Sequence, residues 1–359
     1  MFTVFTHQRK DAATARSTAT LREQLTDSTQ SKPFNIGCTA PQALGEDPEA
    51  RDRSPYIRIP GLYNVTGHDF LIETICKHQR KNTLKGFWIV MTTLDSTFHS
   101  LHQNGLLVLA NVADAGGARI VEHLGGKAVA TSSAAMAWSH GYQDGNKLPL
   151  DLLSITVESM ARVLSVPLTV DIEGGYSDDL DQVGQVINAV ISAGAVGINI
   201  EDGLGSPELL VRKIDVARRI AKQAGVKLFI NVRTDVYLKN LFPAEQRLEE
   251  LLKRAALYAS AGADGLFAAG VVDSNEIETL CRGTKLPVNL LSRDGLPSPD
   301  ELKRLGVRRL SAGSSIAEFL HGAMGTLVRS FLDNGQLDIH ALKAHTYGEL
   351  NALMAAKSE

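Results

Sequence analysis

The chain has 359 residues, of which 44% are hydrophobic and 21% are charged, and its net charge is −3 at pH 7. This is the composition of a globular protein with enough apolar material for one large core or two modest ones. The nearly neutral, evenly spread charge argues against a nucleic-acid or membrane-surface protein, and no apolar run approaches the roughly 20 residues that span a bilayer.

Residues 1–90 are predicted to form a poorly ordered N-terminal extension. The stretch 31–60 is rich in proline, charge and turn-forming residues, and it has no sustained hydrophobic periodicity. Regular alternation begins only later, so residues 91–359 are predicted to form the catalytic domain. Met91 directly precedes the regular part, which raises the hypothesis that the extension is dispensable or that Met91 is the natural start.

The cysteines indicate a reducing compartment. Cys38, Cys76 and Cys281 lie far apart and lack the close spacing of a zinc site or a disulfide framework. The first 25 residues resemble a transit peptide only faintly, because acidic residues interrupt them. A cytoplasmic location is therefore expected.

After residue 90, apolar strand-like runs alternate with amphipathic helical stretches. Eight such runs begin near Leu106, Lys127, Pro167, Val196, Lys227, Gly265, Leu286 and Arg308. Glycines such as Gly194 and Gly262 stand where a helix would end before the next strand. Eight strand–helix units predict a parallel sheet closed into a (β/α)₈ TIM-type barrel, and a doubly wound open sheet is the alternative.

Carboxylates concentrate where the third and fourth predicted strands end. Asp171 and Glu173 follow one apolar run, and Glu201 and Asp202 follow the next. In such barrels the catalytic groups stand at the carboxyl ends of the strands, and two residues that are two positions apart can point toward one centre. Oxygen ligands of this kind suit Mg²⁺, which one or two carboxylates and water often hold. The alternative is that these acids only cap the helices that follow.

Arg233 is predicted to emerge from the end of the fifth strand beside these acids. Its forked guanidinium suits a carboxylate or phosphonate group of a substrate. It can also pair with Glu201 or Asp235 and neutralise the site, and the two roles can coexist. No lysine stands at a predicted strand end, so a Schiff-base aldolase would lack its nucleophile, and metal-assisted enolate chemistry remains.

Five segments, in order, resemble the isocitrate lyase/phosphoenolpyruvate mutase superfamily. They are Ala-Thr-Ser-Ser at 130–133, His-Gly-Tyr-Gln-Asp-Gly-Asn at 140–146, Asp-Ile-Glu-Gly-Gly-Tyr at 171–176, Ile-Glu-Asp at 200–202 and Asn-Val-Arg-Thr-Asp at 231–235. The resemblance covers about residues 95–330. It implies a (β/α)₈ barrel in a homo-oligomer, a dimer or tetramer, whose eighth helix is exchanged between neighbours. It also implies a site for Mg²⁺, or Mn²⁺, and a small 2-oxo acid or its enolate.

The resemblance further implies roles for individual residues. Asp171 would be the carboxylate nearest the metal ion, with Glu173 and Glu201 holding the ion mainly through water. Glu201 would thereby also belong to the catalytic set. Arg233 would grip the carboxylate or phosphonate end of the substrate.

Four further residues complete the predicted site. Ser132 and Ser133 match a Ser-Gly segment whose backbone amides receive the substrate carboxylate, with serine here in place of glycine. Asp144 matches a catalytic acidic residue on the loop after the second strand, although it is also a turn-forming residue before a glycine. Asn289, at the predicted end of the seventh strand, is a candidate substrate contact.

The expected function is that of a Mg²⁺-dependent lyase that cleaves or decarboxylates a small 2-oxo acid or 2-hydroxy diacid through a metal-stabilised enolate. The stretch 203–207 lacks both the cysteine motif of the superfamily's carbon–carbon lyases and the lysine- and asparagine-bearing loop of its mutases. A decarboxylase or retro-aldol lyase needs least beyond the metal and therefore ranks first, and a phosphoenolpyruvate or phosphonopyruvate mutase or hydrolase ranks second. A barrel that binds a 2-oxo acid or metal without turnover is the alternative from another class. No nucleic-acid or membrane partner is expected.

Overall fold

The structure is a computed structural model that describes residues 93–337 and 345–355. The predictions about the extension 1–90, about Met91 as a start and about Cys38 and Cys76 lie outside the described residues. Within the described ranges, no helix has the length and apolar character needed to cross a membrane.

In the described residues, nine parallel strand segments form one sheet. They are β1 (Leu107–Leu109), β2 (Asn111–Val112), β3 (Val129–Thr131), β4 (Leu168–Asp171), β5 (Gly197–Glu201), β6 (Phe229–Thr234), β7 (Gly265–Ala268), β8 (Val288–Leu291) and β9 (Arg309–Ser311). From β3 onward each strand pairs with its successor, while β2 pairs with β3 and β1 pairs with β9. Only Ala110 separates β1 from β2, so these segments act as one interrupted strand that joins both edges of the sheet. The predicted (β/α)₈ barrel is confirmed, and the open-sheet alternative is wrong.

Helices alternate with the strands. They are α1 (residues 93–101), α2 (Ala115–His123), α3 (Ser133–Ser139), α4 (Leu150–Val163), α5 (Leu180–Ser192), α6 (Pro207–Ala224), α7 (Ala244–Ser260), α8 (Ser274–Gly283), α9 (Pro299–Leu305), α10 (Ser315–Asn334) and α11 (Tyr347–Ala355). The start of α6 follows from its sequence, because the Ser206 hydroxyl accepts a hydrogen bond from the Leu209 amide and Pro207 fits the first turn. The helix ends at Gly225, whose φ of 69° is open to glycine.

Aromatic side chains close the amino-terminal end of the barrel. The ring of Phe98, from α1, meets the ring of Phe229 edge-on with centroids 5.4 Å apart, and His102 stacks on Phe229 at 3.9 Å. Burial, helped by the charge of Arg309, lowers the pKa of His102 to about 3, so its ring is neutral. Ring packing thus closes this end of the barrel.

The carboxyl-terminal helices are the least covered part of the described fold. Of the side chains of α10, only Ala317 is buried. Large apolar side chains recur along the rest of this helix and are exposed: Phe319, Leu320, Met324, Val328, Phe331 and Leu332. The exchange of the eighth helix between chains stays a prediction. Such an exchange would cover this exposed apolar face of α10.

Candidate functional site

Two cavities meet at the carboxyl ends of the barrel strands. The central cavity, of about 380 Å³, is bordered by residues from almost every strand end. The side cavity, of about 550 Å³, lies against the loops after β4 and β5 and the start of α6. Ser133, Asp144 and Arg233 border both cavities. Their combined size is that of a pocket for a small molecule, and three predicted site residues stand where they join.

The loop after β4 turns its carboxylates back toward the barrel. The Glu173 amide donates a hydrogen bond to Asp171 Oδ1 at 3.0 Å. Glu173 has a φ of 50°, a left-handed conformation that costs energy for any residue other than glycine. Its Oε2 accepts a hydrogen bond from the Asn146 amide, which connects this loop to the one after α3. The structure therefore brings the segments that carry Asp144, Asp171 and Glu173 together.

Burial raises the pKa of every candidate metal ligand. Asp171 has a raised pKa, chiefly through burial, and the charge of Arg233 opposes that change. Burial also raises the pKa of Glu173 and of Glu201 to about 7 in each case. Neighbouring carboxylates add to the rise, Asp144 for Glu173 and Asp171 for Glu201. Such a cluster carries more negative charge than its cations offset, and a bound cation would relieve it.

The donor set fits a hydrated divalent cation better than a closed cage of protein ligands. Among residues 93–337 and 345–355, no three acidic, His or Cys side chains converge as a complete ligand set. Glu173 Oε1, however, is buried and has no hydrogen-bond partner in the described structure. Mg²⁺ keeps several of its waters and needs few carboxylates, so an unpartnered acceptor beside Asp171 suits it.

Arg233 forms both of the ion pairs that its sequence position suggests. Its Nη1 lies 2.9 Å from Glu201 Oε2, and its Nε lies 2.7 Å from Asp235 Oδ1. Nη2 also donates to Asp235 Oδ2 at 3.1 Å. A guanidinium carries five N–H donors, so two remain for a ligand in the cavities that Arg233 borders. Neutralising the acids and binding an anion are therefore compatible.

The remaining predicted contacts divide into residues that border the cavities and one that does not. Ser132 borders the central cavity and caps α3, accepting a hydrogen bond from the Ala135 amide at 3.3 Å. Ser133, the first residue of α3, borders both cavities. Asn289 is instead buried inside the barrel, where its Oδ1 accepts a hydrogen bond from Ser311 Oγ at 3.1 Å. The strand β8 continues to Leu291, so Asn289 is not at its end as the sequence suggested.

Asp202 faces away from the acidic cluster with which the sequence groups it. Its Oδ2 accepts hydrogen bonds from Arg254 Nη1 at 2.8 Å and from the Tyr258 hydroxyl at 2.6 Å. Its Oδ1 accepts a hydrogen bond from the Asp235 amide at 3.2 Å. Asp202 therefore ties α7 to the ends of β5 and β6, which is a structural role.

Two lysines reach the side cavity although neither stands at a strand end. Lys239 pairs with Asp235 Oδ2 at 2.7 Å and lies in the loop after β6. Lys213, on α6, donates to the Gly174 carbonyl at 2.7 Å and to Asp178 Oδ1 at 2.9 Å. The sequence pattern marks neither lysine, because Lys239 lies in a turn and Lys213 lies on a helix away from any strand end.

A sequence model described as phosphoenolpyruvate phosphomutase matches residues 98–332. The chain belongs to the phosphoenolpyruvate phosphomutase family. The match spans the strands and loops that carry the cavities described above, and it confirms the resemblance to the isocitrate lyase/phosphoenolpyruvate mutase superfamily.

Individual relatives include both lyases and mutases. An uncharacterised protein of Mycobacterium tuberculosis is 34% identical, covering 61% of this chain and 82% of its own length. An oxaloacetate decarboxylase of Paraburkholderia xenovorans is 28% identical, covering 67% and 82% respectively. The crystal structure of a candidate phosphonomutase from Burkholderia cenocepacia is 38% identical, with a TM-score of 0.63 over 66% of this chain and 99% of that one. Membership of this phosphomutase family supports an enzymatic role.

Proposed function

We propose that this family member is a Mg²⁺-dependent lyase that decarboxylates or cleaves a small 2-oxo diacid, or the related 2-hydroxy diacid, through an enolate. One observation carries the proposal. Arg233, with two N–H groups to spare, stands where the two cavities join, directly beside Glu201 and the acids of the β4 loop. An anion-binding fork next to a cation-binding cluster suits a substrate that is both an acid and a metal chelator.

The metal would supply one part of the chemistry. When bound, Mg²⁺ or Mn²⁺ acts as a Lewis acid that stabilises negative charge on the 2-oxo oxygen. Asp171 would hold the ion directly, and Glu173 and Glu201 would accept hydrogen bonds from its waters. The unpartnered Glu173 Oε1 is free for such a bond in the described structure.

The chain's own groups would bind and orient the acid. Arg233 would receive the substrate carboxylate with its two remaining donors, since Asp235 and Glu201 hold its other three in place. The start of α3, at Ser132 and Ser133, borders the same central cavity. It would bind the other carboxylate of the diacid. Fixing both ends of a small diacid in this way orients the bond that breaks.

Four residues near predicted strand ends are candidate proton donors, namely Tyr142, Tyr176, Tyr237 and His140, and of these Tyr176 borders the side cavity. The Tyr176 phenol carries its proton at neutral pH, although burial raises its pKa and so makes it a weaker acid. The Tyr237 hydroxyl donates to Glu276 instead, at 3.0 Å, and His140 is hydrogen-bonded to Thr156 at 2.9 Å. We propose that Tyr176 returns a proton to the enolate carbon.

A second candidate function is mutase or hydrolase chemistry on a phosphonopyruvate-like acid. The 38% identity to the candidate phosphonomutase favours it. Arg233 would then bind a phosphonate, and Lys239 would add a second cation to the side cavity.

Turnover assays with several acids test the proposal. The protein would be incubated with oxaloacetate, substituted malates, 2-methylisocitrate and phosphonopyruvate, each with Mg²⁺ and with EDTA, and products followed by NMR. The lyase proposal predicts Mg²⁺-dependent carbon dioxide or 2-oxo acid release from a carboxylic substrate. Turnover of phosphonopyruvate alone would favour the second candidate. Binding of these acids without turnover of any would identify a non-catalytic barrel.

A further inference from the structure

Arg309 is a fully buried arginine inside the barrel. It is the first residue of β9, and its side chain has no exposed surface. Its hydrogen bonds go to neutral groups, from Nε to Ser311 Oγ at 3.1 Å and from Nη2 to Asn199 Oδ1 at 3.2 Å. Nη1 has no partner in the described structure. A buried cation that makes no ion pair through any of these nitrogens is unusual, because desolvating a charge is costly.

The fold gains little from this charge. Burial lowers the pKa of Arg309 to about 9 against the opposing charge of Asp171, so the guanidinium still carries its charge at neutral pH. If it were removed, Asn199 Oδ1 would keep its hydrogen bond from Asn231 Nδ2 at 2.9 Å. Ser311 Oγ would keep its bond to Asn289 at 3.1 Å. No partner of Arg309 would be left wholly unsatisfied, so stability does not account for the residue.

Its position relative to the central cavity gives it a different role. Both of its partners, Asn199 and Ser311, border that cavity, so the guanidinium lies directly behind the cavity wall. The Asn199 side chain also lies close enough to Asp171 to lower the pKa of that carboxyl. Because Asn199 Oδ1 accepts from Arg309 and from Asn231, the amide nitrogen of Asn199 is held toward Asp171.

We propose that Arg309 is a positioning residue whose buried positive charge acts through Asn199 and Ser311 to make the central cavity favour an anionic ligand. A charge in this low-dielectric interior acts over a longer range than one exposed to water. The inference rests on the proposed function only for the identity of the ligand, the carboxylate head of a 2-oxo acid. The charge of Asp171 favours the charged form of Arg309 without an ion pair in the described structure, and an anion bound in the central cavity would add a second counter-charge.

Direct binding measurements test the role apart from catalysis. Calorimetry would follow oxalate, a small dianion, binding to the wild-type protein, Arg309→Met and Arg309→Lys at saturating Mg²⁺. We expect Arg309→Met to bind oxalate about tenfold more weakly, and Arg309→Lys to recover most of the affinity because the charge is kept. Equal affinity in Arg309→Met, or no oxalate binding by the wild-type protein, would overturn the inference.

Thermal unfolding of the same proteins separates positioning from structural support. We expect Arg309→Met to melt at the wild-type temperature or above it. The matched control is Arg254→Met, because Arg254 is also buried but is paired with Asp202 and Glu250, and its loss should lower the melting temperature. An Arg309→Met protein that does not fold, or that melts as low as the control with unchanged oxalate affinity, would show a structural role instead.

The two proposals fail in different ways. If no acid in the turnover assays reacts but oxalate binding depends on Arg309, the lyase proposal is wrong and the positioning role stands. If turnover is found and Arg309→Met binds oxalate as tightly as the wild-type protein, the positioning role is wrong and the lyase proposal stands.

Discussion

Arg233 and Asp235 form a two-point hydrogen bond, with Nε donating to Oδ1 at 2.7 Å and Nη2 to Oδ2 at 3.1 Å. Asp235 is completely buried, and Lys239 is its second cation. This pairing fixes the plane of the guanidinium, which a single contact could not do. Arg233, which borders both cavities, is thereby held in place before any ligand arrives.

Replacing Arg233 should therefore affect both stability and activity. Arg233→Gln leaves Asp235 buried with only Lys239, and we expect the free energy of unfolding to fall by about 2–4 kcal/mol. The double variant Arg233→Gln/Asp235→Asn removes the stranded charge and should regain most of that stability while staying inactive. Urea unfolding and turnover assays measure the two effects. A double variant no more stable than the single one would contradict the account.

Asp171 should be required for activity but not for folding. We expect Asp171→Asn to lose Mg²⁺-dependent turnover by at least about a hundredfold, since the carboxylate nearest the metal is gone. Its melting temperature should match or exceed that of the wild-type protein, because burial disfavours the charged form that is removed. The control is Asp178→Asn, an exposed carboxylate at the edge of the side cavity, which should keep its activity. Full activity in Asp171→Asn would refute the metal assignment.

The barrel could be predicted because the parallel strands leave a strong sequence signal. Each observed strand from β3 onward begins within two residues of its predicted start, as with Gly265 for β7, where the two coincide. Strands buried on both faces are continuous apolar runs, and glycines end the helices between them. The acids of the site were found for the same reason, since a carboxylate directly after such a run is conspicuous.

The direction in which each side chain of the site points could not be predicted from the sequence. Successive strand residues face opposite sides of the sheet. An error of one or two residues in a predicted strand end therefore places a side chain on the wrong face or at the wrong depth in the barrel. Asn289 lies deeper in the barrel than the predicted strand end implies. Asp202 points toward Arg254 and Tyr258 and away from the acidic cluster with which the sequence groups it. The sequence does not mark Arg309 as an inward-facing residue, because an arginine near the start of a strand usually faces solvent. Only the closed barrel shows that this one points inward.

His102 should make the fold sensitive to acid. Its pKa is about 3 in the folded protein and near 6.5 in an unfolded chain. Above pH 6.5 both states are neutral, and below it only the unfolded state gains a proton, so the free energy of unfolding falls as the pH drops from 6.5 toward 3. Relative to His102→Phe, the wild-type protein should lose about 2 kcal/mol between pH 7 and pH 5. Urea unfolding of both proteins at the two pH values measures this difference, and parallel behaviour of the two would contradict it.

The exposed apolar face of α10 should cause the chain to associate with itself. Leu320, Met324, Val328 and Phe331 recur at the three- and four-residue spacing of one helix face, and all are exposed in the single chain. A continuous apolar stripe of this length is rare on a monomer, and an oligomer that covers α10 would bury it.

Sedimentation equilibrium at micromolar concentration should show a dimer or larger species for the wild-type protein, and Met324→Glu/Phe331→Glu should shift it toward monomer. The control Arg329→Glu adds an acidic group at an exposed position between the two and outside the stripe, so it should associate as the wild-type protein does. The barrel core lies apart from these positions, so all variants should keep the same circular dichroism spectrum. A monomeric wild-type protein, or association that persists in the double variant, would show that this face is not what holds the chains together.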